Sequence, residues 1–388
     1  MSTSAMAQGQ PALVNGLTDL RPKHRFERLT EWMAQAGADS FVAIGARAVT
    51  YLTGYARYWG GPAAVVFTPD GSRTLCVMRD EVPVAEQLSD ADAVIGYGQR
   101  GFGINLDPFT PLLETVAKVS VVADATVIGV ADETGAGRVL LEQQVTARLL
   151  TADAVIDRLR LVKDVDELQK LLWCYELCWL GQRTVAEHAA RGESEIEIFS
   201  AAHSAAQIAN GAPTEFLTDL LSGPNTASVC CPIHVAGERR VQAGDAVVAD
   251  VVVGARGYFG DSAETHIVGD NQAVAEKRLR LLEILRSSAD ELRPGATGAG
   301  IFANMAREIE DSFPGGEFPH HAGHAVGLSS FEDPHMIPAD ETPLENFMVI
   351  ALEPGVYGPD QSGARVENLF IVTPSGGVEL REAFGVAR

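Results

Sequence analysis

Between residue 25 and about residue 157 the apolar positions change period repeatedly. In RFERLTEWMAQAG, Phe26, Leu29, Trp32 and Met33 recur at helical spacing and Gly37 marks a stop; SFVAIG then reads as a buried strand. AAVVFTP, RTLCVM and TVIGVA are further short, β-branched runs bounded by turn residues. The alternation predicts a mixed α/β domain. A much longer apolar-periodic helix follows, carrying Leu168, Leu171, Leu172, Tyr175 and Trp179, with Asp164 and Asp166 at its start and Gly192 past its end. The boundary is therefore placed just before it, giving domains 1–157 and 158–388. Beyond Gly192 the pattern predicts a helix over SEIEIFSAAHSAAQIANG, strands at DAVVADVVVGARGYFG and THIVG, and helices over roughly 273–292 and 300–311. Strands return at FMVIALEPGVYG and ENLFIVTP, so the fold class is α/β (α+β).

Against this pattern, some carboxylates stand out. Asp250 interrupts AVVADVVVG, a run without Lys or Arg, and an ionised carboxylate in a buried strand is costly unless a cation pairs with it. Asp261 ends the return strand RGYFGD eleven residues later, and the turn-rich GARG between them allows a hairpin that gathers both. On the hairpin alone, an exposed strand face for Asp250 is an equally open reading. Glu353 after FMVIAL and Glu367 in GARVENLFIV repeat the pattern. With the glycine-flanked His324 of AGHAVGL they form an oxygen-rich set with one nitrogen, suited to Mn, Co, Fe or Zn. Four negative charges balance two divalent ions better than one.

Composition narrows the setting. Apolar residues at 46% and charged residues at 21% describe a globular chain, and no run approaches the roughly 18 apolar residues of a membrane span. The net charge of -22 argues against nucleic acid as a partner. The N-terminal MSTSAMAQGQPALVNGL lacks the pattern of a secretory signal and reads as a flexible lead-in. Cys76, Cys174, Cys178, Cys230 and Cys231 fit neither a zinc ribbon nor a disulfide framework, so reduced thiols and a cytoplasmic location are expected.

The order Asp, Asp eleven residues on, His in GH, Glu in EPG and Glu in RVEN resembles the methionine aminopeptidase, aminopeptidase P, prolidase and creatinase superfamily. SGPNTA, GYFGD, FPHHAGHAVGL and ALEPGVYG are similar to its motif blocks in the right order, and RFERLTEWM through YLTGY resembles the N-terminal domain of its prolidase and creatinase branch. The resemblance implies a creatinase-like α/β domain followed by a pita-bread catalytic domain. It also implies two divalent metals, Mn first, with Asp250 on one ion, Asp261 and Glu367 bridging, and His324 with Glu353 completing the second. Two such cations lower the pKa of a shared water, generate hydroxide near neutral pH and polarise a carbonyl, so the implied reaction is hydrolysis of an amide-type bond of Xaa-Pro peptidase type. Glu353 would accept the proton of the attacking water. The substrate would be a small molecule or short peptide, and a homodimer is implied by resemblance only.

The remaining histidines divide by setting. His234, in CCPIHVAGERRVQAGD, lies near where the superfamily places a substrate-contacting histidine and is a candidate proton donor. His320 is open between substrate contact and plain packing; His321, His335, His266 and His188 are read as ordinary polar or structural residues. Relatives read GLxxHE after the ligand histidine, whereas this chain reads GLSSFEDP, so Phe331 stands where a hydrogen-bond donor is expected. Ala263 and Glu264 likewise replace the Thr and Arg of DxTRT, Glu264 being similar to methionine aminopeptidases. Two alternatives follow: a non-peptide hydrolase or lyase, similar to creatinase, ectoine hydrolase or enzymes of sulfonium compounds, and a metal-free binding protein on the same fold.

Overall fold

The computed structural model describes residues 11–21, 23–57, 59–101, 106–227, 236–358 and 362–386. Two compact units emerge. One is Lys23–Arg160; the other begins at Leu161 and includes the leading segment. The change of unit thus falls a few residues beyond the position expected from periodicity.

The first unit is built on a six-stranded mixed sheet. Its strands are β1 (Ser40–Ile44), β2 (Ala64–Phe67), β3 (Arg73–Met78), β4 (Ala93–Tyr97), β5 (Val127–Asp132) and β6 (Arg148–Thr151), in the order β4-β3-β2-β1-β5-β6. The helix Arg25–Ala36 ends at Gly37, whose φ of 64° suits a residue without a side chain. Val42, Ile44, Val66, Leu112, Val116 and Val130 form part of its buried core.

In the second unit, β7 (Glu215–Ser222), β8 (Ala246–Ala255) and β9 (Tyr258–Ile267) form an antiparallel sheet. A five-stranded sheet follows the order β11-β10-β12-β15-β16, from β10 (Gly323–Ala325), β11 (Glu332–His335), β12 (Val349–Leu352), β15 (Asn368–Ile371) and β16 (Val378–Glu379). Between β12 and β15 in sequence, β13 (Gly355–Val356) pairs with β14 (Ala364–Arg365).

The long helix Val165–Ala190 starts with a reciprocal capping box, Asp164 with Glu167. It is stitched to the β8–β9 hairpin by buried polar contacts. Tyr258 Oη donates to Glu167 Oε1 at 3.0 Å, and Gln182 Nε2 donates to the carbonyls of Ala249 and Ser262 at 3.0 and 2.9 Å. Alternation along the strands then decides the chemistry. Val251, Gly260 and Ser262 meet the helix, so Asp250 and Asp261 point to the other face. In the register Asp250 faces Ala263 and Val252 faces Asp261, which makes the two aspartates diagonal neighbours on that face.

Residues 11–21 are tied down rather than free. Val14 N donates to Ala383 O, Gln169 Nε2 to Pro11 O and Asn346 Nδ2 to Leu20 O. Residues 1–10 of the expected flexible lead-in lie outside the described residues. Cys76, Cys174 and Cys178 are buried and free. Among the described residues no helix is long and apolar enough to cross a membrane.

Gly260 sets how closely the hairpin approaches the long helix. A Cβ there would collide with the backbone of Cys174 and Tyr175, reaching 2.8 Å from Cys174 O. Gly260→Ala is expected to lower unfolding stability by about 1–3 kcal/mol, as overpacking does, read from chemical denaturation. An unchanged midpoint would mean that the close approach is not enforced.

Candidate metal centre

The five carboxylate and histidine positions singled out by sequence converge in the second unit. Asp250 and Asp261 come from the inner face of the hairpin. His324 lies on β10, paired with Ala351 of β12, and Gly323 before it lets the chains close because a Cβ there would strike the Ala351 carbonyl. Glu353 follows β12 directly, its N–H bonded to Ala322 O at 3.1 Å. Glu367 lies between β14 and β15 and is fixed against β9 by its own N–H, which donates to Ala263 O at 2.8 Å. Neighbouring Arg365 N donates to Thr265 Oγ1, whose hydroxyl returns a bond to Arg365 O, both under 3.0 Å.

One ligand atom each from Asp261, His324 and Glu367 lies within 4.8 Å of the others, and all three side chains are buried. His324 Nε2 is 3.7 Å from Asp261 Oδ2 and 3.6 Å from Glu353 Oε1. Its tautomer follows from bonding: Nδ1 meets Ala325 O at 3.0 Å, a carbonyl only accepts, so Nδ1 carries the hydrogen and Nε2 presents a lone pair inward. Burial lowers the His324 pKa to about 4, which keeps that lone pair free at neutral pH. Asp261 Oδ1 and both Glu367 carboxylate oxygens are buried without a hydrogen-bond partner among the described residues. Buried polar atoms are rarely left so. A divalent cation would satisfy all of them, and an inward imidazole nitrogen with carboxylate oxygens is a donor set such a cation accepts.

Without a cation these groups resist ionisation together. Burial raises the carboxyls of Asp261 and Glu367 well above their usual range, and the charges of Asp250 and Glu353 push the same way. Burial also lifts Asp250 to about 6, Glu353 adding to the rise while Arg365 opposes it. Glu353 behaves differently. Although burial works against its charge, its bond to His321 and the His321 charge bring it down to about 2.

Several participants were not singled out in the sequence. Arg365 Nη1 lies 2.5 Å from Asp250 Oδ2 and 3.4 Å from Asp219 Oδ2, so the cation missing around Asp250 arrives from 115 residues away. Asp219 stands directly opposite Asp250 in the β7–β8 ladder, a like-charge pair that Arg365 bridges. Asp219 carries the same signal as Asp250, a lone carboxylate in FLTDLLS, and Arg365 sits two residues before Glu367.

His320 belongs to a fixed chain of hydrogen bonds. Arg365 Nε can only donate, so Tyr357 Oη accepts from it at 2.7 Å; His320 Nδ1–H donates to His321 O at 2.7 Å, leaving Nε2 to accept from Tyr357 at 3.1 Å. Burial, helped by the Arg365 charge, lowers His320 to about 4 and keeps it neutral. His321 differs from its expected ordinary role: its Nδ1 is 3.0 Å from Glu353 Oε1, and against the effect of burial this carboxylate raises its pKa. His335 Nδ1 pairs with Asp333 Oδ1 at 2.9 Å. His234 lies outside the described residues.

A separate cavity of about 350 Å³, lined by Trp179, Gln182, Glu264, His266 and Arg278 among others, includes residues from the helix-facing side of the hairpin. Four of its polar residues pair with one another. Glu264 binds Arg278 through two 2.6 Å bonds, and His266 Nε2 bonds Gln182 at 3.0 Å, which bears out the structural reading of His266.

The chain resembles known proteins over both units. Residues 25–162 match the Creatinase/Prolidase N-terminal domain and residues 175–374 match Metallopeptidase family M24. An Xaa-Pro dipeptidase of Pyrococcus furiosus is 30% identical over 230 residues, which is 59% of this chain and 65% of that relative. Among solved structures, an Xaa-Pro dipeptidase from Bacillus anthracis superposes with a TM-score of 0.74 at 22% identity, covering 92% of this chain and 96% of that one. Dipeptidase PepE from Mycobacterium ulcerans gives 0.69 at 26% identity, covering 94% and 95%. The fold is accordingly a creatinase-like N-terminal domain followed by a pita-bread domain, and a family defined by divalent-metal hydrolysis accounts for a buried donor set that lacks partners of its own. The chain belongs to metallopeptidase family M24.

Proposed function

We propose that the protein is a dinuclear hydrolase of Xaa-Pro dipeptides or short peptide N-termini. The observation that carries this reading is the buried trio Asp261, His324 and Glu367, with three carboxylate oxygens unpartnered and an imidazole lone pair turned inward. Asp261 and Glu367 would hold both ions, Asp250 one of them, and His324 with Glu353 the other; manganese suits a set with four carboxylates and one imidazole. When bound, such ions supply Lewis acidity that acidifies a water and polarises an amide carbonyl.

The chain's own residues do the rest. Glu353, held below the usual carboxylate range by its three neighbouring histidines, would accept a proton at a carboxylate oxygen. His321 fixes that carboxylate through the 3.0 Å contact to Oε1. Arg365 holds one oxygen of Asp250, while its Nε steadies Tyr357 and through it His320. Burial of His324, Asp261, Glu353 and Glu367 keeps bulk water from competing for these contacts.

Phe331 favours a second reading, a non-peptide amide or related small molecule. It offers no hydrogen bond at a position where a donor is expected, and losing a preorganised donor costs on the order of 10²-fold or more in rate.

Manganese-loaded protein is expected to hydrolyse Xaa-Pro dipeptides, and Glu367→Gln to abolish this while circular dichroism stays native. Inactivity of a fully loaded wild type on every Xaa-Pro dipeptide would reject the peptidase reading, and a near wild-type rate in Glu367→Gln would reject the bridging role. Because burial and the neighbouring carboxylates favour the protonated forms of Asp261 and Glu367 in the metal-free state, metal binding should release protons. Calorimetry in buffers of different ionisation enthalpy should show net proton release, whereas buffer-independent heats would contradict the assignment.

A further inference from the structure

Phe331 is a large apolar side chain left 49% exposed beside the candidate ligands. Its ring centroid lies 4.3 Å from that of His324, 5.0 Å from His321 and 4.5 Å from His335. The flanking imidazoles are themselves anchored, His321 at Glu353, His324 at Ala325 O and His335 at Asp333.

The backbone that carries the ring is fixed as well. Phe331 ends the connection from β10 to β11, where Ala325 pairs with Glu332 and His324 with His335. Glu332 accepts from Ser329 N at 3.1 Å and meets the fully buried Lys163 ammonium at 3.4 Å. Phe259 N donates to Gly327 O at 2.9 Å, tying the same loop to β9. An exposed aromatic ring held by its neighbours on three sides is preorganised for contact, since little freedom remains to be lost on binding.

We propose that Phe331 is a specificity-determining residue: its free face receives a neutral apolar group, preferably a ring, attached next to the bond that is cleaved. The proposal rests on the metal-site reading above and deepens it by naming a substrate class. Three features favour an apolar ligand group over a polar one. The phenyl ring has neither donor nor acceptor, the Nδ1 atoms of the three imidazoles beside it are turned to Glu353, Ala325 and Asp333, and aromatic rings pack on one another in offset or edge-on geometry at the 4.5–7 Å separations typical of such pairs.

Two small metal-chelating acids separate the possibilities. Acetohydroxamic and benzohydroxamic acid present the same chelating head and differ in a methyl against a phenyl group. Their affinities for manganese-loaded wild type, Phe331→Ala, Phe331→Leu and Phe331→His are to be measured by calorimetry. Wild type should favour the phenyl compound, and Phe331→Ala and Phe331→His should reduce that preference roughly 3- to 10-fold, the range expected for one aromatic contact. Acetohydroxamate affinity should stay at the wild-type level in Phe331→Ala and Phe331→Leu, manganese stoichiometry should stay there in all variants, and Phe331→Leu should keep part of the preference. An unchanged preference in Phe331→Ala would overturn the inference, as would an equal loss for both acids, which would make Phe331 a mere support for the site. If neither acid binds wild type despite bound manganese, the reading of an accessible metal site fails and this inference with it.

Discussion

Asp219, Asp250, Asp261, Glu353 and Glu367 crowd one interior region where, among the described residues, Arg365 is the guanidinium that meets them. This imbalance is the constraint around which the second unit is organised. Arg365 offsets one charge of the cross-strand pair Asp219 and Asp250, and the charge left over must be met by protons or cations. Two divalent ions would balance the four charges that are left. In their absence burial and mutual repulsion favour the protonated carboxyls.

The scaffold is arranged to support that cluster from behind. The long helix spends its polar residues on the hairpin, with Gln182 and Glu167 satisfying backbone and tyrosine groups, and Gly260 permits near contact between them. Because side chains alternate across a strand, a helix that claims Val251 and Ser262 forces Asp250 and Asp261 to the opposite face. Local positioning of His324, Glu353 and Glu367 comes from adjoining strand ends, where backbone N–H groups fix two of the three.

Much of this was legible in the sequence because each candidate broke a local pattern. Asp250 in AVVADVVVG, Glu353 after FMVIAL and Glu367 before NLFIV are charged residues in apolar runs, and that contrast survives without any knowledge of contacts. Strand and helix periods were legible for the same reason. The partners were less so, since Arg365 meets Asp250 across 115 residues and nothing local announces it. His321 looked ordinary beside His320 and His324. Only the turn of the chain at β10 shows that its ring faces Glu353. Phe331 was conspicuous as a missing histidine, yet its exposure and its bracketing by three imidazoles required the fold.

The central claim is that the carboxyl cluster is a two-cation site. It is tested most directly by equilibrating chelator-treated protein with manganese, removing unbound ion and measuring metal per folded chain by elemental analysis. The account predicts two ions per chain, with the stoichiometry reduced in Asp261→Ala. Native, folded wild-type protein that retains no manganese, cobalt, iron or zinc would contradict it.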